Sequence, residues 1–143
     1  MRGEAPTLFR GPQGRYFAIF GHNCWCCAEG SQAYAFVSDH PLGHYTLLRD
    51  VNADAAGRRV VRGQSAFVQR LHAAAPGDPQ YFLAFDQWMT GNSRAEQYQY
   101  WAPLSFDAEG AIEPLRWQDS WQTSYHPALP PPSSPPAPPP PPV

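Results

Sequence analysis

Two aromatic runs constrain what this chain can fold into. Tyr16-Phe17-Ala18-Ile19-Phe20 and Tyr81-Phe82-Leu83-Ala84-Phe85 repeat one pattern. Short runs of aromatic and β-branched residues, bounded by Gly and Pro, read as strands. The first run sits in a group comprising Thr7 to Arg10, Arg15 to His22, Ala33 to Ser38 and Tyr45 to Val51. Turns at Gly11-Pro12-Gln13-Gly14 and His40-Pro41-Leu42-Gly43 punctuate that group. The second group holds Gln64 to His72, Gln80 to Trp88, Gln97 to Phe106 and a returning segment, Ile112 to Trp117. Its turns are Ala75-Pro76-Gly77-Asp78-Pro79, Gly91-Asn92-Ser93 and a hairpin at Asp107 to Gly110. Phe67, Val68 and Leu71 have helical spacing, but alternation and the flanking turns favour a strand there. The Arg- and Gly-containing stretch Asn52 to Gly63 reads as a separator between the groups.

The expected fold is therefore all-β, with about two four-stranded units. Such units, repeated at an interval above the ~40–50 residues usual for blade repeats, suggest a partial β-propeller with long loops. Two blades cannot close a ring, and they leave sheet faces and edges open. Either further blades precede Met1 or chains pair, and further blades are the expectation.

The C-terminus obeys other rules. From His126 to Val143 the chain carries 11 of its 18 prolines, too many to join a packed core. The expected division is a folded region, 1–125, holding all 20 aromatic residues, and a disordered, proline-rich low-complexity tail, 126–143. The tail has polyproline II composition, suited to a stiff extracellular stalk or, in a cytosolic protein, to proline-binding modules. A formal net charge of −2 gives no nucleic-acid footprint and no polybasic membrane patch. No apolar run has the length of a membrane span, and no signal peptide is visible.

Several boxes carry a family resemblance. They are Glu4-Ala5-Pro6, Gly14-Arg15-Tyr16-Phe17, Leu42-Gly43-His44-Tyr45, Gln64-Ser65 and Asp86-Gln87-Trp88. Tyr100-Trp101-Ala102-Pro103-Leu104 and Trp117-Gln118-Asp119-Ser120-Trp121 complete the series. In this order they resemble the C-terminal part of glycoside hydrolase family 43, the five-bladed β-propeller glycosidases, and its exo-β-1,3-galactanase-like branch most of all. His44 and Gln87 depart from the proline and arginine of the family pattern. The resemblance spans Glu4 to Trp121.

It implies an inverting glycosidase acting on galactan- or arabinan-type polysaccharide, extracellular or in a cell wall. Inversion needs a protonated carboxyl at the leaving oxygen and a second carboxylate that activates water across the ring. The family's general acid maps onto Glu4, with Pro6 and Phe9 expected to supply dry, rigid surroundings. The general base and the tuning acid belong to blades that are expected but not in this sequence, so this chain alone is expected to be inactive. The alternative is a non-catalytic carbohydrate-binding or matrix protein on a polyproline stalk.

Asp86, Trp88, Gln99 and Trp101 are the candidate substrate-binding residues, because sugar sites combine aromatic faces with amides and carboxylates. The tryptophans have a second reading, as packing between blades. Cys24, Cys26 and Cys27 follow His22, and Cys24 and Cys27 make a Cys-x-x-Cys motif. A redox role lacks its strand-to-helix context, and zinc lacks a second Cys pair. A disulfide with one thiol left over stays open. No metal and no cofactor are expected. The expected partner is an oligo- or polysaccharide.

Overall fold

Alternating aromatics pair the strands into two antiparallel sheets. A computed structural model describes residues 3–22, 29–71, 80–87 and 97–124. The first sheet has the order β1-β2-β3-β4, formed by Gly3–Arg10, Tyr16–His22, Gln32–Ser38 and Thr46–Asp50. The second has the order β5-β6-β7, formed by Gln64–Arg70, Tyr81–Asp86 and Gln99–Pro103. The two repeated aromatic runs become β2 and β6, the second strand of each sheet. The segment with ambiguous helical spacing is strand β5.

Period-two alternation decides which side chains meet. Phe17 and Ile19 of β2 align with Val37 and Ala35 of β3 and face the second sheet. Tyr81, Leu83 and Phe85 of β6, with Ala102 of β7, meet them from the other side. Phe9 and Phe106 wedge between the layers. Phe9 lies 5.4 Å from Phe17 and 5.7 Å from Tyr81, and Phe106 lies 5.7 Å and 5.6 Å from the same two rings. Burying each such ring stabilises the fold by about 1.5–3 kcal/mol. The two sheets thus share one core.

The second group departs from the expected four-strand plan. Among the described residues, Ile112 to Trp117 forms no strand, only a single bridge between Phe106 and Ile112. The reason lies in the partners. Ile112 and Leu115 are buried in the shared core, and the Leu115 amide donates to the Val51 carbonyl of the first group, 2.8 Å away. Pro114 has no amide to give. The outer edge of β7 is also poorly suited to a further strand. Pro103 removes a donor there, and the Trp121 indole N–H donates to the Trp101 carbonyl, 2.8 Å away.

Asn52 to Gly63 is not the loose separator that its composition suggests. Val51, Asn52 and Val61 are fully buried, and Ala53 bridges Arg59. The Asn52 amide donates to the Ser31 and Val61 carbonyls, each at 2.9 Å, and its oxygen accepts from the Val61 amide at 2.7 Å. One buried side chain therefore ties the entry of β3 to the approach to β5. Asp54 closes the tip of the loop, accepting from the Arg58 and Ala56 amides and pairing with the Arg58 guanidinium. The Arg58 amide leads these interactions in holding the Asp54 carboxyl below its ordinary range.

The Cys24, Cys26 and Cys27 motif, the Ala75-to-Pro79 turn, Trp88, the Gly91-Asn92-Ser93 loop and the proline-rich tail lie outside the described residues. Among those described, no helix is long and apolar enough to cross a membrane. Asn52→Ala is expected to cost about 3 kcal/mol, because it leaves buried carbonyls and an amide without partners. Urea denaturation of the two chains measures that loss, and an unchanged midpoint would show that the clasp is dispensable.

Candidate active site

Antiparallel order brings alternate strand ends together. The starts of β1, β3, β5 and β7 and the ends of β2, β4 and β6 lie at one end of the sheets. Glu4 opens β1, Gln64 opens β5, Asp86 closes β6 and Gln99 opens β7. Polar residues from distant parts of the chain are thus collected along one rim.

Glu4 is positioned by an irregularity in its own strand. It aligns with Gly21, whereas Thr7 aligns with Ile19, so β1 holds one residue more than its partner. Ala5 takes up the excess with a φ of 46°, in the left-handed region that a side chain disfavours. Bulges of this kind re-aim side chains and cluster near functional sites. The second sheet carries a matching irregularity between Ser65 and Phe67. The opening strands β1 and β5 run side by side in the same direction. The Thr7 hydroxyl accepts from the Val68 amide at 3.1 Å, and Gln64 Nε2 donates to Glu4 Oε2, also at 3.1 Å.

From Gln64 the row continues across the second sheet. Gln64 aligns with Asp86, and Asp86 with Gln99. Gln99 Nε2 donates to Asp86 Oδ1 at 3.2 Å, and Trp101 Nε1 donates to Gln99 Oε1 at 3.4 Å. Two glycines permit the close approach beneath this row. A Cβ on Gly63 would lie 2.6 Å from the Asp86 carbonyl oxygen, and one on Gly30 would lie 2.5 Å from the Gly63 amide. Both positions need bare backbone.

Four of the five candidate residues, Glu4, Asp86, Gln99 and Trp101, therefore fall on this row; Trp88 lies outside the described residues. Gln64, which links Glu4 to the rest, was visible only as the start of a sequence box. It lies 60 residues after Glu4, not at the 65-residue spacing of the two aromatic runs, so that repeat did not point to it. Phe9 does not shelter Glu4. It is five residues further along β1 and stacks in the core, and both Glu4 and Pro6 are exposed.

Trp101 is both stacked within its own sheet and half-exposed. Its ring lies flat on Phe82, with centroids 4.8 Å apart, yet it remains 49% exposed. With Gln99, Gln118, Asp119, Ser120 and Trp121 it lines an open groove of about 730 Å³. On the opposite face of β7, Tyr100 stacks on Trp117 at 4.2 Å. The Tyr100 hydroxyl donates to the Gln118 carbonyl at 3.0 Å and accepts from its amide at 2.8 Å. Burial raises the Tyr100 pKa above its ordinary value. Among the described residues, no three His, Cys, Asp or Glu side chains cluster to hold a metal.

The architecture matches that of glycoside hydrolases. The chain is similar to a GH43 β-1,3-galactosidase, BT3683, solved with galactodeoxynojirimycin. The TM-score is 0.66 and the identity 26%, over 83% of this chain and 32% of that one. A second GH43 β-1,3-galactosidase, BT0265, gives a TM-score of 0.63 at 22% identity, over 83% of this chain and 23% of that one. A further glycoside hydrolase has the same fold, with a TM-score of 0.54 at 18% identity, over 89% of this chain and 28% of that one. The sequence resemblance to family 43 is thus borne out, and the fold is one that these glycoside hydrolases share over part of their length. The chain spans about a third or less of the length of each of these structures. No family model and no curated protein matches the sequence.

The Ala5 bulge makes a direct prediction. Ala5→Gly is expected to raise stability by up to about 1 kcal/mol by relieving the left-handed backbone, and Ala5→Val to lower it by about 1–2 kcal/mol. Thermal melts of the three chains check the order, which should reverse if Ala5 is unstrained.

Proposed function

We propose that this chain is the acid-bearing part of an inverting glycoside hydrolase acting on galactan- or arabinan-type polysaccharide. Glu4 serves as the general acid, and Asp86, Trp88, Gln99 and Trp101 contact the sugar. The observation that carries this reading is the rim row itself. Gln64 joins Glu4 at 3.1 Å, and Asp86, Gln99 and Trp101 are linked in turn across the same end of the second sheet. Carboxyl, amide and indole side by side form the donor, acceptor and apolar-face set that a pyranose needs.

In this reading Glu4 gives its proton to the departing glycosidic oxygen as the C–O bond breaks. Water attacks the opposite face of the ring, activated by a carboxylate that further blades would contribute. Gln64 holds one Glu4 oxygen, leaving the other to face the leaving group. A general acid also needs enclosure to keep its proton near neutral pH. Glu4 is exposed among the described residues, so this role requires other blades to close over the rim.

The outward sheet faces are suited to such blades. Leu8, Ala18, Phe36 and Leu47 align across the first sheet, with Leu8 59% and Leu47 48% exposed. Phe67 and Trp101 flank Ala84 on the outward face of the second. Extracellular or cell-wall action, with the proline-rich segment as a stalk, fits such a substrate.

The test is hydrolysis of β-1,3-galactan and arabinan oligosaccharides. The 143-residue chain alone is expected to be inactive, because it carries one arm of the mechanism. Joined to complementing blades it should turn substrate over, and Glu4→Gln should then lower kcat by about 10²–10⁴-fold. Unchanged turnover in that variant would remove Glu4 from the acid role. Saccharide binding without hydrolysis in the completed protein would favour the non-catalytic alternative.

A further inference from the structure

The rim continues beyond the row that begins at Glu4. Next to Gln64 and Asp86, the side chains of Val60, Arg62, Gln87 and Trp117 line an open cleft of about 250 Å³. Typical small-molecule pockets hold about 300–1,000 Å³, so this smaller one has room for no more than a single sugar unit. Beside it, the bare backbone of Gly63 packs against the backbone of Asp86 and Gln87.

Trp117 is held as a platform. One ring face stacks on Tyr100 at an interplanar angle of 8°, and Tyr100 is anchored through its hydroxyl to the Gln118 backbone. The indole N–H donates to Asp119 Oδ1 at 2.9 Å, which engages the acid adjoining the ring. Trp117 nevertheless remains 49% exposed. A rigid, half-exposed indole loses little entropy on binding the C–H face of a pyranose.

Arg62 supplies the charge. It is exposed and has neither ion pair nor hydrogen bond among the described residues. A neighbouring hollow of about 450 Å³ is lined by Arg62 with Glu29, Gly57, Arg58 and Arg59. There Arg58 is paired with Asp54 and Arg59 with Asp50, while Glu29 forms no ion pair with Arg62. Two of the three guanidiniums are thus compensated inside the loop, and the third faces both hollows. A guanidinium without a partner, beside an amide and an aromatic face, matches a carboxylate carried on a sugar ring.

We propose that Arg62, Gln87 and Trp117 form a subsite for an acidic sugar unit, a hexuronate, next to the candidate active site. The guanidinium receives the carboxylate, the indole carries the ring and the Gln87 amide bonds a hydroxyl. This rests on the carbohydrate reading of the rim but not on Glu4 as an acid.

The test uses the full chain, labelled with nitrogen-15 and titrated with methyl galactosiduronate, methyl galactoside or acetate. The uronate should shift the Trp117 indole N–H and Arg62 Nε–H signals and bind about tenfold more tightly than the galactoside. Raising the salt concentration should narrow that gap. Arg62→Gln, a change at an exposed side chain, should bring the uronate to the galactoside's affinity while leaving the melting temperature unchanged. Equal affinities in the parent chain, no response to any sugar, or an unaltered preference in Arg62→Gln would overturn the subsite. So would shifts with acetate as large as those with the uronate, since that binding would need no sugar. Loss of this preference would leave the Glu4→Gln result standing, and the reverse also holds.

Discussion

The structure depends on a single apolar layer shared by two sheets, clasped by the buried amide of Asn52. Neither sheet has a core of its own. Phe17 and Ile19 are sealed by Tyr81, Leu83 and Phe85, and both sets are wedged by Phe9 and Phe106. Apolar burial is non-directional, so it holds the layers together without setting how they slide. The hydrogen bonds of Asn52 to Ser31 and Val61 are directional, and leaving them unmade inside the core is costly. Register between the sheets follows, and Gln64 and Asp86 are carried with it.

The chemistry at the rim inherits this arrangement. Glu4 and Gln64 come from different sheets, yet their side chains meet because β1 and β5 lie side by side. Bulges near the start of both strands turn the rim residues out of the regular pleat. Glycine at positions 30 and 63 lets three backbones stack where side chains would hold them apart. The carboxyl, amide and indole groups are brought together by a shared core to which none of them belongs.

Much of the fold was legible from residue order. The aromatic runs at β2 and β6 alternate with period two and are bounded by turn residues, and both form strands. Phe9 is near Glu4 in sequence but not in space, because it lies five positions further along β1 and its ring turns into the core. Asn52 to Gly63 looked like a spacer because Arg, Gly and Asp mark loops. Composition does not reveal that Val51, Asn52 and Val61 are buried. Ile112 to Trp117 has strand composition, but Leu115 spends its amide on Val51, a partner that sequence cannot name.

By itself, the sequence determined the all-β class, the places of the seven strands though not the absence of an eighth among the described residues, and the order of the family-43 boxes. These follow from local rules, since alternation, turn residues and box order are written along the chain. Only the tertiary structure decided that Glu4 reaches Gln64, that Asp86, Gln99 and Trp101 line up beside them, and that Arg62, without an ion pair among the described residues, lies next to Trp117. Those relations run from 13 residues of chain, for Asp86 and Gln99, to 60, for Glu4 and Gln64, and exist only once the shared core has closed.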